Sequence, residues 1–102
     1  MSYSFEFGQS VVREYNDFCI NPDIPLFMQL DKLKEDLIQV EYDSGHILDI
    51  GWYPEFKLKG CFKICVIKSD EIIYEKSTRN IKKLKQLTEE AVRIIADSNV
   101  LK

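Results

Sequence analysis

The sequence predicts an α+β fold: a small three-stranded antiparallel sheet packed by two N-terminal helices and a long C-terminal helix. Three observations predict it. Apolar residues recur at helical spacing through the first forty positions and again from Ile81 to Ile95. Between these stretches, two runs alternate strictly between apolar and polar residues. The connections around those runs are short, which favours strands that neighbour each other in an antiparallel meander.

The first helix is read over Gln9–Ile20, where Val11, Val12, Tyr15, Phe18 and Cys19 share one face. Ser10 is placed to cap it and Asn21-Pro22 to stop it. Ahead of it, Tyr3, Phe5 and Phe7 alternate with polar residues, giving either a fourth short strand at the edge or an apolar lead-in. Asp23-Ile24-Pro25 opens the second helix, with Pro25 in its first turn. Its stripe is Leu26, Phe27, Leu30, Leu33, Leu37 and Ile38, and its wet face carries Asp31, Lys32, Lys34, Glu35 and Asp36. Glu41 to Gly45 reads as a turn, because Ser-Gly punctuates structure strongly.

The strands follow. His46–Tyr53 sets Leu48, Ile50 and Trp52 on one face, a parity that favours the core for Trp52, with an interface anchor as the alternative. Cys61–Lys68 sets Phe62, Ile64 and Val66 on one face, and Ser69-Asp70-Glu71 leads into a third strand over Ile72–Lys76. The C-terminal helix starts at a cap on Thr78 or Asn80 and runs to about Asp97. Lys82, Lys83 and Lys85 occupy its first turns, where the helix dipole disfavours positive charge, which implies another task for them or an acidic neighbour.

At 102 residues the chain is read as a single domain, 1–102, large enough for one core without a staple. No run approaches the ~20 apolar residues of a membrane span, and the first residues lack a signal peptide's basic start and apolar segment. The expectation is a cytoplasmic protein with no membrane partner. Cys19, Cys61 and Cys65 form no CxxC pair, and two strand residues four apart lie roughly 13 Å from each other, beyond disulfide reach. With His46 the only other soft ligand, no metal site is expected, and no cofactor. The four glycines are scattered, so no phosphate loop exists, and no third group orients a His46–cysteine dyad. An enzyme is not expected.

Charge is informative. The chain carries net −3, but residues 1–55 sum to −8 and residues 56–102 to +5. Lysines interleaved with Phe56, Leu58 and Phe62 suggest a single-stranded nucleic-acid platform, against which stand the acidic excess and the few arginines. Protein recognition fits better. Glu41, Asp43, Asp49, Tyr53 and Glu55 combine acids with an aromatic anchor, and Asp31, Glu35 and Asp36 form an alternative patch.

The block Leu48-Asp49-Ile50-Gly51-Trp52-Tyr53-Pro54-Glu55-Phe56, then Gly60 and the strand to Lys68, resembles small bacterial immunity proteins of contact-dependent or polymorphic toxin systems. These proteins share a role rather than one fold. The resemblance implies a non-enzymatic inhibitor, cytosolic in the producing cell, that occludes one cognate toxin domain. Many such toxins are nucleases with basic surfaces, which the acidic half of this chain would complement. The alternatives are a small adaptor or self-assembling subunit and, third, the nucleic-acid platform. The sequence does not specify the oligomeric state.

Overall fold

A computed structural model describes residues 4–100, with side chains described through residue 98. The fold is α+β, but among the described residues the sheet has five strands and the only α-helix is C-terminal. The strands are β1 (Val11–Asn16), β2 (Ile38–Tyr42), β3 (Ile47–Tyr53), β4 (Cys61–Lys68) and β5 (Glu71–Thr78), followed by α1 (Ile81–Val100). They pair antiparallel in sequence order, a simple meander. None of the described helices is long and apolar enough to cross a membrane.

The two N-terminal helices are therefore corrected. The segment expected as the first contains β1, an edge strand paired with β2 through Tyr15 opposite Gln39 and Asn16 opposite Ile38. Ser10, expected as a cap, instead has positive φ. The β-branched Val11 and Val12 and the ring of Tyr15 suit a pleated strand, whereas Phe18 and Ile20, counted in the same helical stripe, are buried beyond the strand's end. The second expected helix is reduced to two single 3-10 turns, Leu26–Met28 and Leu30–Lys32. Gln29 breaks the run between them at φ −140° and ψ 41°. Its side chain is buried and turned back on the preceding loop, where Oε1 accepts from Asn21 N–H and Nε2 donates to the Asn21 and Ile24 carbonyls. Those bonds hold the loop in a form a continuous helix excludes. The same expected helix ends in β2, whose alternation Ile38-Gln39-Val40-Glu41-Tyr42 buries every odd member of the run.

The possible extra strand at Tyr3, Phe5 and Phe7 is not one over the described residues, and Tyr3 lies outside them. Phe5 packs edge-on against Phe18 at 4.9 Å, and Phe7 is buried, its carbonyl accepting from the Tyr42 hydroxyl at 2.6 Å. This segment is the apolar lead-in.

The central hairpins follow their alternation. β3 and β4 pair from Ile47 opposite Ile67 to Tyr53 opposite Cys61. Leu48, Ile50 and Trp52 with Phe62, Ile64 and Val66 form a fully buried layer. β5 is longer than the expected third strand, and Ser69 and Asp70 both take positive φ, the backbone that a two-residue hairpin turn requires. Asn80 caps α1 by accepting from Lys83 N–H at 2.9 Å. The helix packs across β4 and β5 with Leu84, Leu87, Ala91 and Ile95 buried, and Tyr74 ties the layers by donating to Glu90 at 2.7 Å. One sheet face is thus occupied by α1 and the apolar N-terminal segments. No described helix covers the other, open face, which only the 35–36 bulge overhangs.

Candidate functional site

The open face is built from the other parity of each strand. Register aligns Tyr15, Gln39, Asp49, Cys65 and Glu75 in one row across all five strands. The row beside it contains Arg13, Glu41, Ile47, Ile67 and Ile72, and on the other side lie Gly51, Lys63 and Ser77, then Tyr53 and Cys61. Apart from Gly51 these residues are half-buried or exposed, and on β2, β3 and β4 their neighbours in sequence fill the core, whereas both faces of the edge strand β1 and most of β5 are exposed.

Gly51 decides what crosses this face. Chain 33–37 follows β3 beyond β2, held by Leu37 N–H to the Ile50 carbonyl at 3.1 Å and Trp52 N–H to the Lys34 carbonyl at 2.8 Å. Glu35 and Asp36 lie between these anchors and bulge over Gly51. A Cβ at position 51 would stand 1.9 Å from the Glu35 carbonyl oxygen, so only glycine admits the bulge. Glu55 fastens it, its Oε1 accepting from Glu35 N–H at 3.2 Å. The next loop is fixed from below: buried Trp52 donates Nε1–H to the Lys57 carbonyl at 2.7 Å. A Cβ on Gly60 would meet the Tyr53 carbonyl at 2.5 Å.

Two patches that are separate in sequence therefore merge. Asp49, Tyr53 and Glu55 from β3 and its loop adjoin Glu35 and Asp36 from the bulge. The electrostatics record this convergence. Burial, with Asp36 second, raises the Asp49 carboxyl above its ordinary range. Burial and then Asp49, Glu35 and Asp36 raise the Tyr53 phenol. Burial, Asp49 and Glu75 raise the Cys65 thiol, which Lys63 partly offsets. Among the described residues, Asp36 and Asp49 make no ion pair. The cations on this face are engaged: Arg13 pairs with Glu41 at 3.3 Å, and Lys63 with Glu75 at 3.8 Å while lying over the Tyr53 ring. Tyr15, Asp36, Ile38, Gln39 and Asp49 line a recess on this face.

The remaining expected residues lie elsewhere. Asp43 sits in the β2–β3 turn, roughly 20 Å along the strand from the Tyr53 end. Asp31 is on the second 3-10 turn rather than on the sheet. Glu41 shares the face, with its charge paired to Arg13. Trp52 and Phe62 have no exposed surface, so they offer no stacking platform to bases. His46 is buried with the core-facing parity, its Nδ1 2.6 Å from Ser44 Oγ, whereas Cys61 and Cys65 occupy the open face. No thiol–imidazole pair is assembled between them. Sequence reasoning missed Tyr15, Gln39 and the role of Gly51: Tyr15 is read into the first helix, and Gln39 falls between the second helix's stripe and the turn that opens at Glu41. The alternation of residues 38–42 was the signal that would have located them.

No protein-family model matches the chain, and no curated protein or solved structure is significantly similar to it.

Proposed function

We propose that this chain is an immunity protein that neutralises a bacterial toxin domain by binding it, with no catalysis of its own. The observation that carries the reading is the merged surface of Asp49, Asp36, Glu35, Glu55 and Tyr53 on a sheet face that no helix covers. The resemblance of the Leu48–Phe56 block to immunity proteins adds to it. The partner is a basic domain, and a nuclease is the class whose phosphate-binding surface such a face would mimic and block. Tyr53 and Tyr15 supply amphipathic contact area at low entropy cost, and the uncompensated carboxylates raise the association rate at low salt. The site of action is the cytoplasm of the producing cell.

A raised carboxyl pKa in an unpaired acid is a cost to the free protein that a cationic partner removes, which supports binding rather than packing as the purpose of Asp49. The test is a nuclease-treated pull-down with tagged protein in the native host, read by mass spectrometry, followed by toxicity assays of the captured protein. One stoichiometric basic partner, toxic alone and harmless with this chain, is expected. Several unrelated partners would replace this reading with an adaptor.

A further inference from the structure

At the Tyr53 end of the sheet, three segments form a surface of opposite character to the open face. The 3-10 turn at Leu26–Met28 presents Phe27 and Met28, 61% and 66% exposed, beside exposed Ile24. The β3–β4 loop presents Phe56 and Leu58 interleaved with exposed Lys57 and Lys59. The start of α1 presents Lys82 and Lys83. Internal bonds fix all three: Phe56 N–H donates to the Leu33 carbonyl at 2.7 Å, Arg79 donates to the Gly60 carbonyl while lying over the Trp52 ring, and Gln29 holds the 21–24 loop. An open cleft of about 500 Å³ runs between Pro22–Leu26 and Arg79–Lys82, with Asp23 the acid in its lining. Among the described residues no ion pair engages Lys57, Lys59, Lys82 or Lys83.

We infer that this basic, apolar end docks on the acidic open face of a second copy of the chain, giving reversible head-to-tail association. The occupant is argued from complementarity on both counts. The lysines of one copy meet Glu35, Asp36 and Asp49 of the next, and the apolar side chains meet Ile47 and Ile67, paired in the row beside Asp49 on the same face. The two surfaces differ, so the contact is heterologous and extends into short chains or rings. It also accounts for Lys82 and Lys83 at a helix N-terminus, where the dipole opposes them. This inference goes beyond the toxin-binding reading and stands whether or not a toxin exists.

The experiment is sedimentation velocity of the full chain from about 10 to 500 µM, at about 50 and 500 mM NaCl. Average mass is expected to rise above 12.0 kDa with concentration at low salt, with association weakened tenfold or more at high salt. Lys82→Glu with Lys83→Glu, and separately Glu35→Lys with Asp36→Lys, should each remain monomeric. The first pair favours the helix dipole, so its thermal midpoint should not fall. Mixing the two variants is the decisive arm, since each retains the half the other lacks, and the mixture should form dimers that extend no further. Wild type monomeric throughout, self-association surviving either double variant, or an inert mixture would overturn the inference. So would binding of the monomeric wild type to phosphatidylcholine vesicles containing phosphatidylserine, which would make an anionic lipid surface the occupant.

Discussion

Replacing Gly51 by alanine is the sharpest test of how the open face is built. The added methyl would lie 1.9 Å from the Glu35 carbonyl oxygen and 2.8 Å from its carbon, backbone atoms that no rotamer change can move aside. The bulge must lift, which strains or breaks the Trp52 N–H to Lys34 bond, the Leu37 N–H to Ile50 bond and the Glu35 N–H to Glu55 bond. Each is worth about 1 kcal/mol net, and overpacking elsewhere in proteins costs about 1–3 kcal/mol. With partial relaxation, Gly51→Ala should destabilise by about 2–4 kcal/mol. For a domain of this size that is a fall of roughly 10–25 °C in thermal midpoint, together with a lower urea midpoint at unchanged slope. The assay is urea unfolding followed by the fluorescence of Trp52, whose backbone N–H anchors the bulge and whose indole is buried. A change below about 0.5 kcal/mol, typical of a neutral surface site, would show that the bulge does not rest on Gly51.

Other outcomes follow from the same geometry. Asp49→Asn should stabilise the free protein near neutral pH, because it removes a half-buried charge that burial and Asp36 disfavour. Because the folded carboxyl titrates above its unfolded value, the native state binds the extra proton, so wild-type stability falls as pH rises from the unfolded pKa through the folded one. The gain from Asp49→Asn should therefore vanish below the ordinary aspartate range, and thermal melts at acid and neutral pH check this. Gln29→Ala should cost about 1–3 kcal/mol, because it orphans the Asn21 N–H and the Ile24 carbonyl and leaves the Asn21 carbonyl only its bond from Ile24 N–H, and hydrogen exchange should report the loss at residues 21–24. Tyr42→Phe should cost about 1–2 kcal/mol and loosen the N-terminal segment, since the buried hydroxyl holds the Phe7 carbonyl. It should also remove the phenol whose titration burial pushes up to about 12.

Much of the central fold was legible from single residues. The parity of Leu48, Ile50 and Trp52 against Phe62, Ile64 and Val66 defines two strands whose bounds differ from expectation by at most a residue, because each strand is half-buried and its alternation is undiluted. The last helix reads equally clearly from Leu84, Leu87, Ala91 and Ile95. The N-terminal third did not. There, Val11, Phe18, Leu33 and Ile38 mimic a helical period while belonging to a strand, two irregular segments and another strand. Periodicity summed across such boundaries is accidental, and the side-chain bonds of Gln29 that arbitrate between the alternatives are tertiary facts. The same reason explains the site. Asp49, Tyr53 and Glu55 were adjacent in sequence and legible, but their union with Glu35 and Asp36 depends on a bulge over one glycine. As helix residues, Asp31, Glu35 and Asp36 would have formed one patch, whereas the 3-10 turn separates Asp31 from the other two.

The central claim, that the open acidic face binds a basic protein partner, is tested most directly by titrating the captured partner calorimetrically. The wild-type chain would be compared with the triple variant Glu35→Gln, Asp36→Asn, Asp49→Asn at low salt. Equal or higher thermal stability in the variant would establish that its fold is intact. The account predicts 1:1 binding by wild type and affinity reduced at least about a hundredfold in the variant, as expected when close charge pairs of about 1–2 kcal/mol each are lost. Affinities within about threefold of each other would contradict it and move the binding surface off this face.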